Sequence, residues 1–241
     1  MCGIICSEIF KACGAENLRR PERDGRTAKN EQALKAPEGE IMKIVVLGGF
    51  LGSGKTTVLM QFARYLVNTS RAENPVIILE NEISEAGVDN QLLTKANFTV
   101  ENIFSGCICC SSTAALELAV MEIEKTYNPE WLLIEATGMA YPDSVRESLQ
   151  KMGYSNASIL ALADAKRWYR VVRAMESFVY SQLKDADVIL LNKIDLVDAD
   201  TLLDIREKVA AYNPSARLEA ICAIQEQGGE FWGSIAGALC P

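Results

Sequence analysis

Gly49-Phe50-Leu51-Gly52-Ser53-Gly54-Lys55-Thr56-Thr57, placed directly after the apolar run Ile44-Val45-Val46-Leu47, decides how this chain folds. Glycines at 49, 52 and 54 let backbone amides turn toward an anion with no side chain in the way. Lys55 then reaches the outer phosphates of a nucleotide, Thr56 offers a hydroxyl to Mg2+, and the helix that opens here adds the positive end of its dipole. A buried strand before the loop and a helix after it predict a triphosphate cradle built from Gly49, Gly52, Ser53, Gly54, Lys55, Thr56 and Thr57.

Outward from that loop, apolar residues recur in two alternating rhythms. Leu59, Phe62, Ala63 and Leu66 keep helical spacing, and Pro75 then opens the run Val76-Ile77-Ile78-Leu79. Leu116, Val120, Ile123 and Tyr127 mark a second amphipathic helix, followed by Trp131-Leu132-Leu133-Ile134, a continuous run that fits a strand covered on both faces. The pattern repeats from Ile159 to Ala163 into a helix carrying Trp168, Val172, Met175 and Val179 on one face. It repeats again from Val188-Ile189-Leu190-Leu191 into a helix from about Asp200 to Tyr212. Strands alternating with helices predict an α/β protein: a three-layer P-loop NTPase fold with a mainly parallel central sheet over 42–241, ligands gathering at the carboxyl ends of the strands.

Residues 1–41 read differently. Seven Lys/Arg stand against seven Asp/Glu with no sustained apolar period, which predicts a disordered N-terminal arm, or a mis-called start upstream of a natural Met42. Composition narrows the partners. A net charge of -8 argues against nucleic acid and against an anionic membrane surface, leaving a small molecule or another protein. No apolar run approaches the roughly 20 residues of a membrane span, and the first residues lack the charge that precedes a secretory core, so the expected location is the cytoplasm. The eight cysteines are then reduced thiols, and with no histidine any transition-metal site must use thiolate and carboxylate.

Three further motifs stand out, the first two directly after apolar runs. Asn192-Lys193-Ile194-Asp195 resembles the guanine-specificity motif of GTP-binding proteins. An Asp carboxylate accepts from the ring N–H and exocyclic amine of guanine, a donor pair that adenine lacks, so GTP is the expected nucleotide. Glu135-Ala136-Thr137-Gly138 closes its strand with a carboxylate that can join Thr56 in holding Mg2+ and a Gly138 amide that can meet the terminal phosphate. Cys107-Ile108-Cys109-Cys110 packs three thiols into four positions, a set that favours Zn2+, Co2+, Ni2+ or Cu+, with carboxylates available from Glu80-Asn81-Glu82-Ile83-Ser84-Glu85. Cys222 and Cys240 stand alone and read as small buried hydrophobes, and Cys2, Cys6 and Cys13 carry no role.

Together these motifs resemble the CobW-like GTPases, relatives of the urease and hydrogenase nickel-insertion GTPases. The resemblance runs from Lys43 to about Ile221 and takes in Gly87-Val88-Asp89 and Gln182-Leu183-Lys184-Asp185-Ala186-Asp187. It implies a GTP-hydrolysing metallochaperone or cofactor-assembly protein, with Cys107, Cys109, Cys110, Glu80 and Glu85 as metal ligands and a client metalloprotein or cofactor-assembly enzyme as partner. A second copy of the chain is a further candidate partner. Hydrolysis is expected to be slow unless a partner, a metal or a second subunit assists, since no catalytic base or arginine finger stands out. The rival implication is a GTP-dependent chaperone of a corrinoid enzyme, with thiols that only pack. Two departures from the family pattern stand out: Ile83-Ser84 where Phe-Gly is usual, and no C-terminal second domain or His-rich tract.

Overall fold

The computed structural model describes residues 42–80, 99–102, 113–136 and 140–240. The predicted N-terminal arm lies outside them. The seven strands among the described residues are β1 Lys43–Gly49, β2 Val76–Glu80, β3 Thr99–Asn102, β4 Trp131–Glu135, β5 Ser158–Asp164, β6 Val188–Asn192 and β7 Arg217–Ile221. Helices α1 Lys55–Thr69, α2 Thr113–Tyr127, α3 Pro142–Lys151, α4 Trp168–Leu183, α5 Ala199–Tyr212 and α6 Gly229–Leu239 connect and follow them. The strands form one sheet in the order β3-β2-β4-β1-β5-β6-β7, and every pairing is parallel.

Parallel strands need helical crossovers, and those helices cover both faces. Along β1 the side chains alternate as the pleat demands. Ile44 and Val46 join Val120, Leu149, Val179 and Ile205 from α2 to α5 on one face. Val45 and Leu47 join Leu59, Phe62 and Trp232 from α1 and α6 on the other. Phe62 ties that second layer together, with its ring 6.0 Å from Trp131 and 5.5 Å from Trp232. Losing so large a buried side chain costs about 3–5 kcal/mol.

The helix predicted around Trp168 exists but is not continuous. Met175, placed by its period on the apolar face, has φ -148 and ψ 49, so α4 is two helical halves joined at a break. Period alone missed this because residues on either side of a kink still face the core: Trp168 before it and Phe178 and Val179 after it are buried. Four elements, β3, α3, β7 and α6, were not predicted; α3 is ten mostly polar residues opened by Pro142, whereas α6 carries Phe231, Trp232, Ile235 and Leu239 at helical spacing.

Register aligns the strand ends that matter. Leu47 of β1 pairs with Glu135 of β4, Gly49 with Leu162 of β5, and Asp164 of β5 with Asn192 of β6. The carboxyl edge thus carries, side by side, the start of the phosphate loop, the Glu135 strand end and the Asn192 motif.

Candidate nucleotide site

The phosphate loop crosses from β1 to α1 through three glycines with positive φ: 130° at Gly49, 71° at Gly52 and 102° at Gly54. At Gly54 any side chain is excluded twice, by the left-handed backbone and by Asn192 Nδ2, which would lie 2.4 Å from a Cβ. Gly54 caps α1 with no side-chain hydrogen bond, so no side chain caps the first amides of the helix.

Side chains from around the loop hold its carbonyls outward. Lys55 Nζ donates to the Gly49 carbonyl at 3.2 Å, an Arg167 terminal nitrogen to Leu51 at 2.7 Å, Lys193 Nζ to Gly52 at 2.6 Å and Asn192 Nδ2 to Ser53 at 2.8 Å. In a trans peptide the carbonyl and the following N–H point in opposite directions. Holding the Leu51 and Ser53 carbonyls therefore turns the Gly52 and Gly54 amides the other way, whereas the Ser53 amide donates to the Phe50 carbonyl at 3.0 Å within the loop. Ser53 Oγ, fully buried in the loop, has no hydrogen-bond partner among the described residues.

Lys193 reaches back to Gly52 because its own backbone is left-handed, φ 65°, a conformation that costs a non-glycine residue about 1–2 kcal/mol. Its ammonium also meets Asp164 Oδ2 at 2.7 Å, and Arg167 Nε meets the same oxygen at 2.7 Å. Burial alone would raise the Asp164 carboxyl, but hydrogen bonds and charge from Lys193 and Arg167 outweigh it and hold the group below the usual carboxylate range. Asp164 is thus an anionic anchor that fixes two cations over the loop.

Thr56 Oγ1 donates to Glu135 Oε1 at 3.1 Å. A hydroxyl and a carboxylate converging at the phosphate end of the cradle form a hard-oxygen set, and that chemistry fits Mg2+. At the other end a cavity of about 600 Å3 is lined by Thr57, Lys193, Asp195, Leu196, Cys222 and Ile224. Asp195 supplies a carboxylate at its wall, and the exposed side chains of Leu196 and Ile224 supply apolar surface for a flat ring. Cys222 is buried, as expected, in the wall of this cavity, where the Asp195 carboxylate together with burial pushes its thiol upward. Cys240 is half-buried against the core, as expected.

Of the predicted nucleotide residues, Gly49, Gly52, Ser53, Gly54, Lys55, Thr56, Thr57, Asn192, Lys193 and Asp195 converge on this edge with Glu135, and Gly138 lies outside the described residues. Cys107, Cys109, Cys110 and Glu85 also lie outside them. Glu80 is described only as backbone, at the end of β2 in register with Glu135. Among the described residues no group of three or more His, Cys, Asp or Glu could hold a metal ion. No helix among them is long and apolar enough to cross a membrane.

Sequence reasoning missed Asp164 and Arg167, and gave Gln182 no role beyond its place in the stretch that resembles the family. The first two follow the apolar strand β5, so the strand-end rule that selected Glu135 could have found them. Gln182 Oε1 accepts from the Gly49 amide at 2.7 Å and its Nε2 donates to the Ala140 carbonyl at 2.6 Å.

The chain is similar to the zinc chaperone YjiA of Escherichia coli strain K12, 31% identical over 185 residues that cover 72% of this chain and 55% of that protein. It is also similar to the zinc-regulated GTPase metalloprotein activator 1 of Dictyostelium discoideum, 26% identical over 231 residues, 79% of this chain and 48% of that protein. The chain thus spans about half the length of these curated relatives. The solved hydrogenase maturation factor HypB from Archaeoglobus fulgidus shares the fold, with a TM-score of 0.59 at 18% identity over 82% of this chain and 90% of that one. Residues 43–219 match the family model for the CobW/HypB/UreG nucleotide-binding domain, and the chain belongs to that family.

Proposed function

We propose that this chain hydrolyses GTP to drive delivery of a transition metal, Zn2+ before Co2+ or Ni2+, to a client metalloprotein or cofactor-assembly enzyme. The observation that carries the reading is the 3.1 Å contact between Thr56 and Glu135 at the mouth of the phosphate loop. Mg2+ held there would neutralise charge on the outer phosphates as the terminal one leaves. Lys55 and the loop amides orient the phosphates, and Gly138 meets the terminal one. Asp195 selects guanine by accepting from its N–H and amine, and Lys193 keeps the base pocket joined to the loop through Gly52.

The cargo metal is assigned to Cys107, Cys109 and Cys110 with Glu80 and Glu85. Register supports a link between cargo and nucleotide: Asn102 of β3 pairs with Glu80 of β2, which pairs with Glu135 of β4. The acidic stretch leaves the sheet beside the Mg2+ carboxylate, and Cys107 follows Asn102 by five positions. The names of the relatives, zinc chaperone and zinc-regulated activator, point the same way.

The test is GTP turnover with and without Zn2+, Co2+ and Ni2+, alongside zinc affinity in the GDP state and with a non-hydrolysable GTP analogue. Zinc affinity is expected to differ between the two states and to collapse when Cys107, Cys109 and Cys110 become Ser. Identical rates and identical affinities would refute metal coupling. Full activity of the serine variant would favour a chaperone whose thiols only pack.

A further inference from the structure

The connection from β7 to α6, residues 222–228, walls the nucleotide cavity with Cys222, Ala223 and Ile224, yet it belongs to no helix or strand. One side chain of α1 holds it. Gln61 Nε2 donates to the carbonyls of Ala223 at 2.7 Å and Gln225 at 3.0 Å, and its Oε1 accepts the Gln227 amide at 3.0 Å. Gln227 extends the grip, its Nε2 donating to the Cys222 carbonyl at 3.2 Å and the Gln225 carbonyl at 3.1 Å. Asn192 Oδ1 accepts the Ala223 amide at 2.9 Å. Ala223, 5% exposed, is thus fixed at its amide from β6 and at its carbonyl from α1.

We infer that Gln61 is a positioning residue for the purine base, fixing the wall that shares the base end of the cavity with Asp195. This rests on the nucleotide reading above and adds a determinant of affinity that does not itself line the cavity. A base that hydrogen-bonds to Asp195 must also fit against 222–224, so a wall left loose costs binding each time it has to be ordered. Glutamine suits the task at this reach, since one amide supplies two donors and an acceptor; asparagine is one carbon shorter and glutamate has no donor. Its place on α1 adds register. Thr57, which lines the cavity, lies one turn before Gln61, about 6 Å along the axis, and Lys55 and Thr56 open the same helix. One rigid element therefore carries the phosphate contacts and the anchor of the base wall. Arg64 pairs with Glu226 of the same connection at 2.9 Å, but both side chains are more than half exposed and that pair contributes little.

Gln61→Met keeps the length of the side chain and removes all three bonds. In the whole chain it is expected to raise KM for GTP and the Kd for GDP about tenfold, the scale of one buried carbonyl left unpaired, with kcat within about threefold of wild type. That split tells positioning from packing: a merely destabilised protein loses folded molecules, which lowers kcat per chain and leaves KM alone. Arg64→Ala, which breaks the exposed pair between the same two elements, is expected to leave KM and Kd within about twofold. An unchanged KM and Kd in Gln61→Met, a loss confined to kcat, or an equal loss in Arg64→Ala would overturn the inference. Should Gln61→Met fail to fold, Gln61→Asn decides: the shorter amide is expected to raise the GDP Kd about threefold or more, and a wild-type Kd overturns the inference. A wild-type chain that binds no guanine nucleotide overturns the nucleotide reading and this one with it; binding by the wild type with no effect of Gln61 substitution overturns the positioning role alone.

Discussion

Asn192 should matter more to the fold than to the base. It is 2% exposed, its Nδ2 donates to the Ser53 carbonyl at 2.8 Å, and its Oδ1 accepts from the Lys193 and Ala223 amides at 2.7 and 2.9 Å. Asn192→Ala removes all three bonds. Ser53 and Ala223 are themselves buried, so a carbonyl and an amide are stranded away from water. Each stranded group costs about 1–3 kcal/mol, about 2–6 kcal/mol together. That is a large share of the roughly 5–15 kcal/mol of a typical domain. At about 2–4 °C per kcal/mol for a chain of this size, calorimetry should show melting lowered by about 5–20 °C. Asn192→Asp sharpens the test. It keeps an acceptor for both amides but faces the Ser53 carbonyl with a carboxylate oxygen, so it should be destabilised too and should bind GDP more weakly as the phosphate loop relaxes. An Asn192→Ala melting temperature within about 2 °C of wild type would refute the argument, because a shift that small leaves no room for two buried groups without partners.

Asp195 is exposed at the cavity wall, so Asp195→Asn should fold normally; it should lose guanine nucleotide affinity about tenfold or more and gain xanthosine nucleotides, whose extra carbonyl accepts from the new amide. Competition of GDP and xanthosine diphosphate for the variant checks this, and an unchanged order of preference would remove Asp195 from base recognition. Asp164→Asn should lower stability at pH 7 by about 1–3 kcal/mol, since it leaves the partly exposed Lys193 and Arg167 facing a neutral group. The sign of the pH effect follows from the depressed folded-state carboxyl. Its stabilisation is present above the unfolded value of about 3.9 and is lost as pH falls through the lower folded value. Urea midpoints of the two proteins should therefore converge only below about pH 4, and a gap that does not narrow there would contradict the anchor role.

Elements with strong apolar runs were legible, and so were the motifs that follow them. Val188-Ile189-Leu190-Leu191 announces β6, and the polar cluster after it falls at the carboxyl edge by the logic of parallel sheets. Strand order was not legible, because any of the apolar runs could neighbour any other; only the packed sheet puts β5 between β1 and β6. The contacts hidden from sequence depend on that placement. Asp164 becomes an anchor because β5 stands next to Asn192 in register, and Gln182 becomes a strut because α4 meets two loops 42 and 133 residues away in the chain. The place of Cys222 was hidden for a similar reason: a lone cysteine shows nothing of the cavity wall that folding makes it share with Asp195.

The four contacts on the loop carbonyls bear on how the cradle keeps its shape. A loop rich in glycine is entropically free, and without phosphate its amides would find internal partners or water. Arg167, Lys193 and Asn192 hold Leu51, Gly52 and Ser53 at 2.6–2.8 Å, and each is itself fixed by a further partner: Asp164 for the two cations, and the Lys193 and Ala223 amides for Asn192. The contact from Lys55 to Gly49 is the longest of the four at 3.2 Å. Lys55 is also the side chain that must turn to the phosphates, while the other three can keep their carbonyls throughout. The longest bond therefore belongs to the group that has to leave, and the shorter ones to groups that stay. Binding then exchanges one weak carbonyl contact for strong phosphate contacts without rebuilding the loop, which keeps the reorganisation needed for nucleotide entry small.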